Sequence, residues 1–81
     1  MRVHLRLFAS LREAVGREAM ELDLPEGATA EEAWRRLAEQ HPQVAPWRRS
    51  LAAAVNRAYT RFDTRLSEGD ELVFLPPVSG G

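Results

Sequence analysis

The chain has no cysteine and no lysine among its 81 residues. Without cysteine there can be no disulfide, thiolate zinc site, iron–sulfur cluster or cysteine nucleophile, which fits a reducing compartment. All eleven basic residues are arginine, so no side-chain amine is open to acylation. A surplus of either charge is also missing. The 11 basic and 12 acidic residues leave a formal net charge of -1, which argues against nucleic acid as the main partner. The longest unbroken apolar run, Leu51 to Val55, is far too short to cross a bilayer. Charges interleave through Met1-Arg2-Val3-His4-Leu5-Arg6, unlike a signal peptide. A cytoplasmic location with no membrane partner is therefore expected. Eighty-one residues also leave no room for a second domain or a deep enclosed substrate cavity.

What the chain does have is clear periodicity. Val3, Leu5 and Leu7 alternate with Arg2, His4 and Arg6, the pattern of a half-buried strand. Ser10-Leu11-Arg12-Glu13 has the spacing of a capping box, and Gly16 is placed to close a short helix. Met20, Leu22 and Leu24 alternate with Glu21 and Asp23, so the second strand offers an acidic face to the basic face of the first. Opposite charges across neighbouring strands predict antiparallel pairing. Thr29-x-x-Glu32 is a second capping box, and it opens a helix whose apolar stripe is Ala30, Ala33, Trp34, Leu37 and Ala38. Glu31–Arg35 and Glu32–Arg36 are placed for i,i+4 pairs on its outer side, and Pro42 stops it.

Residues 43–50 read as a loop with one possible turn of helix, anchored by Trp47. Leu51 to Val55 is read as a strand, although alanine propensity favours helix there. A weak strand follows over Tyr59 to Phe62, then a turn at Gly69-Asp70. Leu72-Val73-Phe74-Leu75 is the short apolar run of a central strand, ended by Pro76-Pro77. The expected fold is α+β, with one main helix packed on one face of a sheet. Residues 1–75 would form the domain and residues 76–81 an extended tail.

Candidate internal chemistry is sparse. His4 falls on an exposed strand face and His41 at a helix C-terminus, with no convergent partners for metal or acid–base work. The adjacent carboxylates Asp70-Glu71 and Glu31-Glu32 fit a turn and a helix start better than catalysis. There is no nucleophile elbow and no glycine-rich phosphate loop. Attention falls on Leu75-Pro76-Pro77-Val78-Ser79-Gly80-Gly81. Two prolines stiffen its first part, and two glycines then remove all side-chain bulk. Six residues reach about 20 Å when extended. Such a segment can thread a narrow tunnel and present the Gly81 carboxylate to another protein's catalytic groups. A disordered end or a cloning remnant is the bland alternative. A carboxylate must be activated before a nucleophile attacks it. Adenylation by ATP would do so, and sulfide or a persulfide would then give a nucleophilic thiocarboxylate.

Together, Phe8-Ala9-Ser10-Leu11-Arg12-Glu13, Ala54-Val55-Asn56, Gly69-Asp70-Glu71 and Pro76-Pro77-Val78-Ser79-Gly80-Gly81 resemble the small subunits of molybdopterin synthase. These belong to the MoaD/ThiS-type ubiquitin-like sulfur carriers, and the resemblance covers nearly the whole length. It implies a ubiquitin-like β-grasp: a mixed sheet around one main helix. It implies an ATP-dependent adenylyltransferase of the ubiquitin-activating type and a sulfur donor protein as partners. A large synthase subunit would accept the thiocarboxylate, in a heterotetramer of two small and two large subunits. There sulfur passes to cyclic pyranopterin monophosphate during molybdenum cofactor biosynthesis. The chain itself would hold no cofactor and no metal, the ATP being consumed by the activating partner, and would be the non-catalytic sulfur-donating subunit. Carried over by position, Gly81 bears the sulfur, and Gly80 with Pro76, Pro77, Val78 and Ser79 threads into the partner. Phe8, Arg12, Phe74 and Leu75 are assigned to a docking face, against a plain reading of core for the apolar three and solvated surface for Arg12. A carrier for thiamine or tRNA thiolation, a protein modifier and a simple interaction module remain alternatives.

Overall fold

The computed structural model describes residues 1–76. Strand β1 (Arg2–Leu7) buries Val3, Leu5 and Leu7 and exposes the residues between them, as its alternation predicts. Helix α1 (Ala9–Val15) follows at once and buries Leu11 and Val15. Its start differs from the predicted capping box. Phe8, not Ser10, is the N-cap, and no side chain caps the helix. The chain turns directly out of β1 through Ala9, whose φ is 50°, and the Phe8 carbonyl accepts from the Leu11 and Arg12 amides at 3.1 and 3.4 Å. Burial of Leu11 under the sheet decides this register, leaving Ser10 inside the first turn. At the other end Gly16 closes the helix in the left-handed region, φ 82°, as expected.

Strand β2 (Ala19–Asp23) pairs antiparallel with β1, placing Arg2 opposite Asp23 and His4 opposite Glu21. The predicted charge complementarity is realised: Arg2 Nε donates to Asp23 Oδ1 at 3.1 Å, and His4 Nδ1 lies 3.2 Å from Glu21 Oε2. The hydrogen bond to Asp23, with the nearby charges of Asp23 and Glu21, raises the Arg2 pKa above its ordinary value. Helix α2 (Ala30–Gln40) begins with Thr29 as its N-cap, the Glu32 amide donating to Thr29 Oγ1 at 3.2 Å, while the Glu32 side chain meets the Thr29 hydroxyl at 3.5 Å rather than its backbone amide. Ala30, Ala33, Trp34 and Leu37 are buried, and Ala38 is half-buried against the same core.

The expected i,i+4 pairs on α2 do not form. A 3₁₀ helix (Pro42–Ser50) packs beside α2 and brings Arg48 to Glu31, where Nε and Nη2 of the arginine meet the carboxylate at 2.6 to 3.0 Å. That guanidinium is half-buried and lies over the Phe62 ring, 3.4 Å from its centroid. A partly desolvated cation holds a carboxylate more firmly than an exposed Arg35 would. Arg36 instead donates to the Asp23 carbonyl at 2.9 Å.

Strand β3 (Ala52–Val55) confirms the strand reading of the alanine run, and β4 (Ala58–Thr60) is shorter and earlier than the predicted 59–62 segment. Phe62 lies beyond it and stacks on Phe74, with centroids 5.8 Å apart. Strand β5 (Glu71–Leu75) is central, as its apolar run predicts. The sheet order is β2-β1-β5-β3-β4, with β1 and β5 parallel and the other pairs antiparallel.

Asn56 extends the β3–β5 ladder into the β3–β4 turn. Asn56 stands at φ 50° in the β3–β4 turn, a conformation asparagine tolerates better than most residues. Its Oδ1 accepts from the Glu71 amide, its Nδ2 donates to Asp70 Oδ1, and its own amide donates to the Glu71 carbonyl, at 2.8 to 2.9 Å. Asn56→Ala removes both side-chain bonds and leaves a methyl residue in the left-handed region. The expected loss is about 2 kcal/mol by denaturant unfolding. A loss under about 0.5 kcal/mol would show that water replaces both bonds.

Candidate functional site

β5 delivers the chain to its C-terminal segment, and its register determines what surrounds the exit. Leu72 and Phe74 point into the core, whereas Glu71, Val73 and Leu75 lie on the face away from α2 and are half-buried. On that open face the pairing forms rows across the strands. Glu21, His4 and Glu71 make one row, and Ala19, Arg6, Val73, Ala54 and Tyr59 the next. Nearest the exit, Leu75 is paired with Ala52, and Phe8 follows Leu7, the partner of Phe74. The open face is thus charged at the start of β5 and apolar at its end. Phe8 is 42% exposed with the Arg6 guanidinium over its ring at 5.7 Å, and Tyr59 is 79% exposed.

A second apolar surface meets the exit from the helix side. A shallow groove of about 360 Å³ is lined by Ser10, Pro46, Trp47, Ser50, Leu51 and Pro76. Trp47 is half-buried and packs against the core, which makes it the anchor predicted for this segment. Pro76 therefore stands between the open sheet face and this groove.

The assigned docking residues divide. Phe8 and Leu75 share the open face, and Arg12 is exposed on α1. Phe74 does not belong with them. It is completely buried, 5.2 Å from Trp34 in an edge-on contact and stacked on Phe62, so it has no surface to offer a partner. Strand alternation explains this, because Phe74 and Leu75 must face opposite sides. Pro77, Val78, Ser79, Gly80 and Gly81 lie outside the described residues. Val73, Ala52 and Tyr59 were missed by sequence reasoning. The available signal was Leu72-Val73-Phe74-Leu75 itself, since a strand covered by helix on one face only has no need of apolar residues at both parities.

Among the described residues no side chain that is polar or charged is buried, and no group of three or more His, Asp or Glu side chains is placed to hold a metal ion. No helix of the described residues is long and apolar enough to cross a membrane. A broader cleft of about 590 Å³ at the start of α2 contains the matched pairs Arg48–Glu31 and Arg61–Asp63.

A central parallel pair β1–β5, flanked by antiparallel strands and crossed by one main helix, defines a ubiquitin-like β-grasp domain. The chain belongs to the ThiS family, whose profile matches residues 5–81. It is similar to the molybdopterin synthase sulfur carrier subunit of Escherichia coli, 39% identical over 83 residues that cover 98% of this chain and 99% of that one. The crystal structure of SAMP1 from Haloferax volcanii superposes with a TM-score of 0.89 at 27% identity, covering 100% of both chains. A chain from the complex of subunits 1 and 2 of the molybdopterin-converting factor of Helicobacter pylori superposes with a TM-score of 0.68 at 26% identity, again over 100% of both.

Proposed function

We propose that this protein is the sulfur-carrying small subunit of molybdopterin synthase. The observation that carries the reading is the near full-length match to a sulfur carrier subunit, extending in the family profile through Gly81. The geometry supports it: a rigid central strand feeds the segment that ends in Gly80-Gly81, between two apolar surfaces suited to a partner.

In this reading a partner adenylyltransferase joins the Gly81 carboxylate to AMP and releases pyrophosphate. A sulfur donor protein supplies sulfide equivalents, sulfur attacks the acyl carbon, and AMP leaves to give the thiocarboxylate. The large subunit then admits the segment Pro76 to Gly81, and sulfur passes to cyclic pyranopterin monophosphate. Phe8, Leu75 and Val73 form the apolar contact at the root, with Arg12 at its edge. The domain contributes delivery and orientation, and the partners contribute acid–base groups. The H. pylori complex supports a large-subunit partner.

Intact mass separates this from its rivals. Incubation with ATP, the adenylyltransferase and a sulfur source should exchange one oxygen for sulfur. Adding the large subunit and the cyclic pterin should then return the protein to its carboxylate form. Retention of sulfur in the presence of that pterin rejects the molybdopterin assignment and leaves a carrier for thiamine or tRNA thiolation. Similarity to SAMP1 favours a second reading, a protein modifier, for which the sign is a ladder of larger conjugates.

A further inference from the structure

Arginine and lysine carry one charge but differ as nucleophiles. At neutral pH an exposed lysine holds roughly one free amine in a thousand, whereas a guanidinium is free at least about a hundredfold less often, and its lone pairs are delocalised. Lysine is absent, so the cationic side chains that flank the exit end of the sheet are arginines. Arg6 is the β1 partner of Val73. Arg17 precedes Glu18, whose carbonyl accepts from the Leu7 amide at 3.0 Å, and Arg49 leads into Ala52, the partner of Leu75. The α-amine of Met1 lies at the other pole. Because β1 and β5 run parallel, it stands a full strand, about 20 Å, from the Leu75 end. There it donates to the Leu24 carbonyl at 2.6 Å.

We propose that this arginine-only surface is a specificity device. It gives an activated Gly81 no side-chain amine as acceptor on its own chain or on another copy, leaving the anchored Met1 α-amine as the single amine of each chain. The acyl group then passes only to an external nucleophile, either a sulfur anion or an amine of a different protein. This rests on the activation proposed above. In the step so avoided, an amine nitrogen attacks the acyl carbon and a C–N bond forms. The C–O bond to AMP breaks, AMP leaves with the electron pair, and the ammonium proton goes to water. The absence of cysteine closes the equivalent thioester route.

The test uses the full chain with the adenylyltransferase and ATP, and with no sulfur source. Pyrophosphate release and intact mass are followed for the wild type, Arg17→Lys and Arg49→Lys, both exposed positions. Equal pyrophosphate release is expected from all three. Amide-linked pairs of chains should be about tenfold or more abundant in the lysine variants than in the wild type. Equal pairing in wild type and variants, or none in any of them, overturns the inference while leaving activation intact. Absence of pyrophosphate release from the wild type rejects the proposed function itself, and the inference with it.

Discussion

Deleting Gly81 is expected to abolish ATP-dependent pyrophosphate release while leaving the melting temperature almost unchanged. Among the described residues the buried core closes at Phe74, seven positions before Gly81. What the deletion removes is the carboxylate at the position the family profile reaches. The truncated chain ends in Gly80, also a carboxylate, so the prediction is one of reach. Loss of one residue withdraws the terminus by about 3.5 Å. A displacement of about 1 Å is enough to cost on the order of a hundredfold in a positioned reaction. Measured by pyrophosphate release and thermal unfolding on the same sample, full activity in the truncated chain would reject Gly81 as the reacting residue. A marked drop in melting temperature would assign the terminus a structural part.

The second large effect separates Phe74 from Phe8, two residues placed together by their resemblance to a docking face. Phe74→Ala should destabilise the domain by about 3–5 kcal/mol, because it opens a cavity between Trp34 and Phe62. In a domain of this size that lowers the melting temperature by well over about 10 °C. Phe8 is 42% exposed, so Phe8→Asp should leave stability within about 1 kcal/mol. Its expected effect is on binding, where a charge in an apolar contact weakens association with the large subunit by about tenfold or more. Titration calorimetry and denaturant unfolding of the two variants should give opposite patterns. Matching patterns would place Phe8 and Phe74 in one surface after all.

Much of the architecture was legible because it is written in period. β1 and β2 alternate, and their exposed charges are complementary, which specified an antiparallel pair before any coordinates. Thr29 and Glu32 marked the start of α2 through a local hydrogen bond, so position along the chain was enough. Failures came where tertiary contacts overrode local ones. Ser10 has the chemistry of an N-cap, yet the depth required of Leu11 set the start of α1 at Ala9. Glu31 has a helical neighbour in Arg35, yet the half-buried Arg48 claims it from 17 residues away. No periodicity in residues 42–50 announces that contact. At the site, the sidedness of β5 had to be counted residue by residue. Phe74 and Leu75 differ by one position and by everything that burial entails.

The parallel pairing of β1 with β5 also has a practical meaning. A dye, an affinity handle or a surface linker fused before Met1 emerges beside Leu24, at the end of the sheet where β5 begins. A backbone amide there can still donate to the Leu24 carbonyl, so the anchorage survives fusion. Immobilised through that end, the domain would turn the Leu75 end of β5 away from the support, oriented for single-molecule work on whatever captures it.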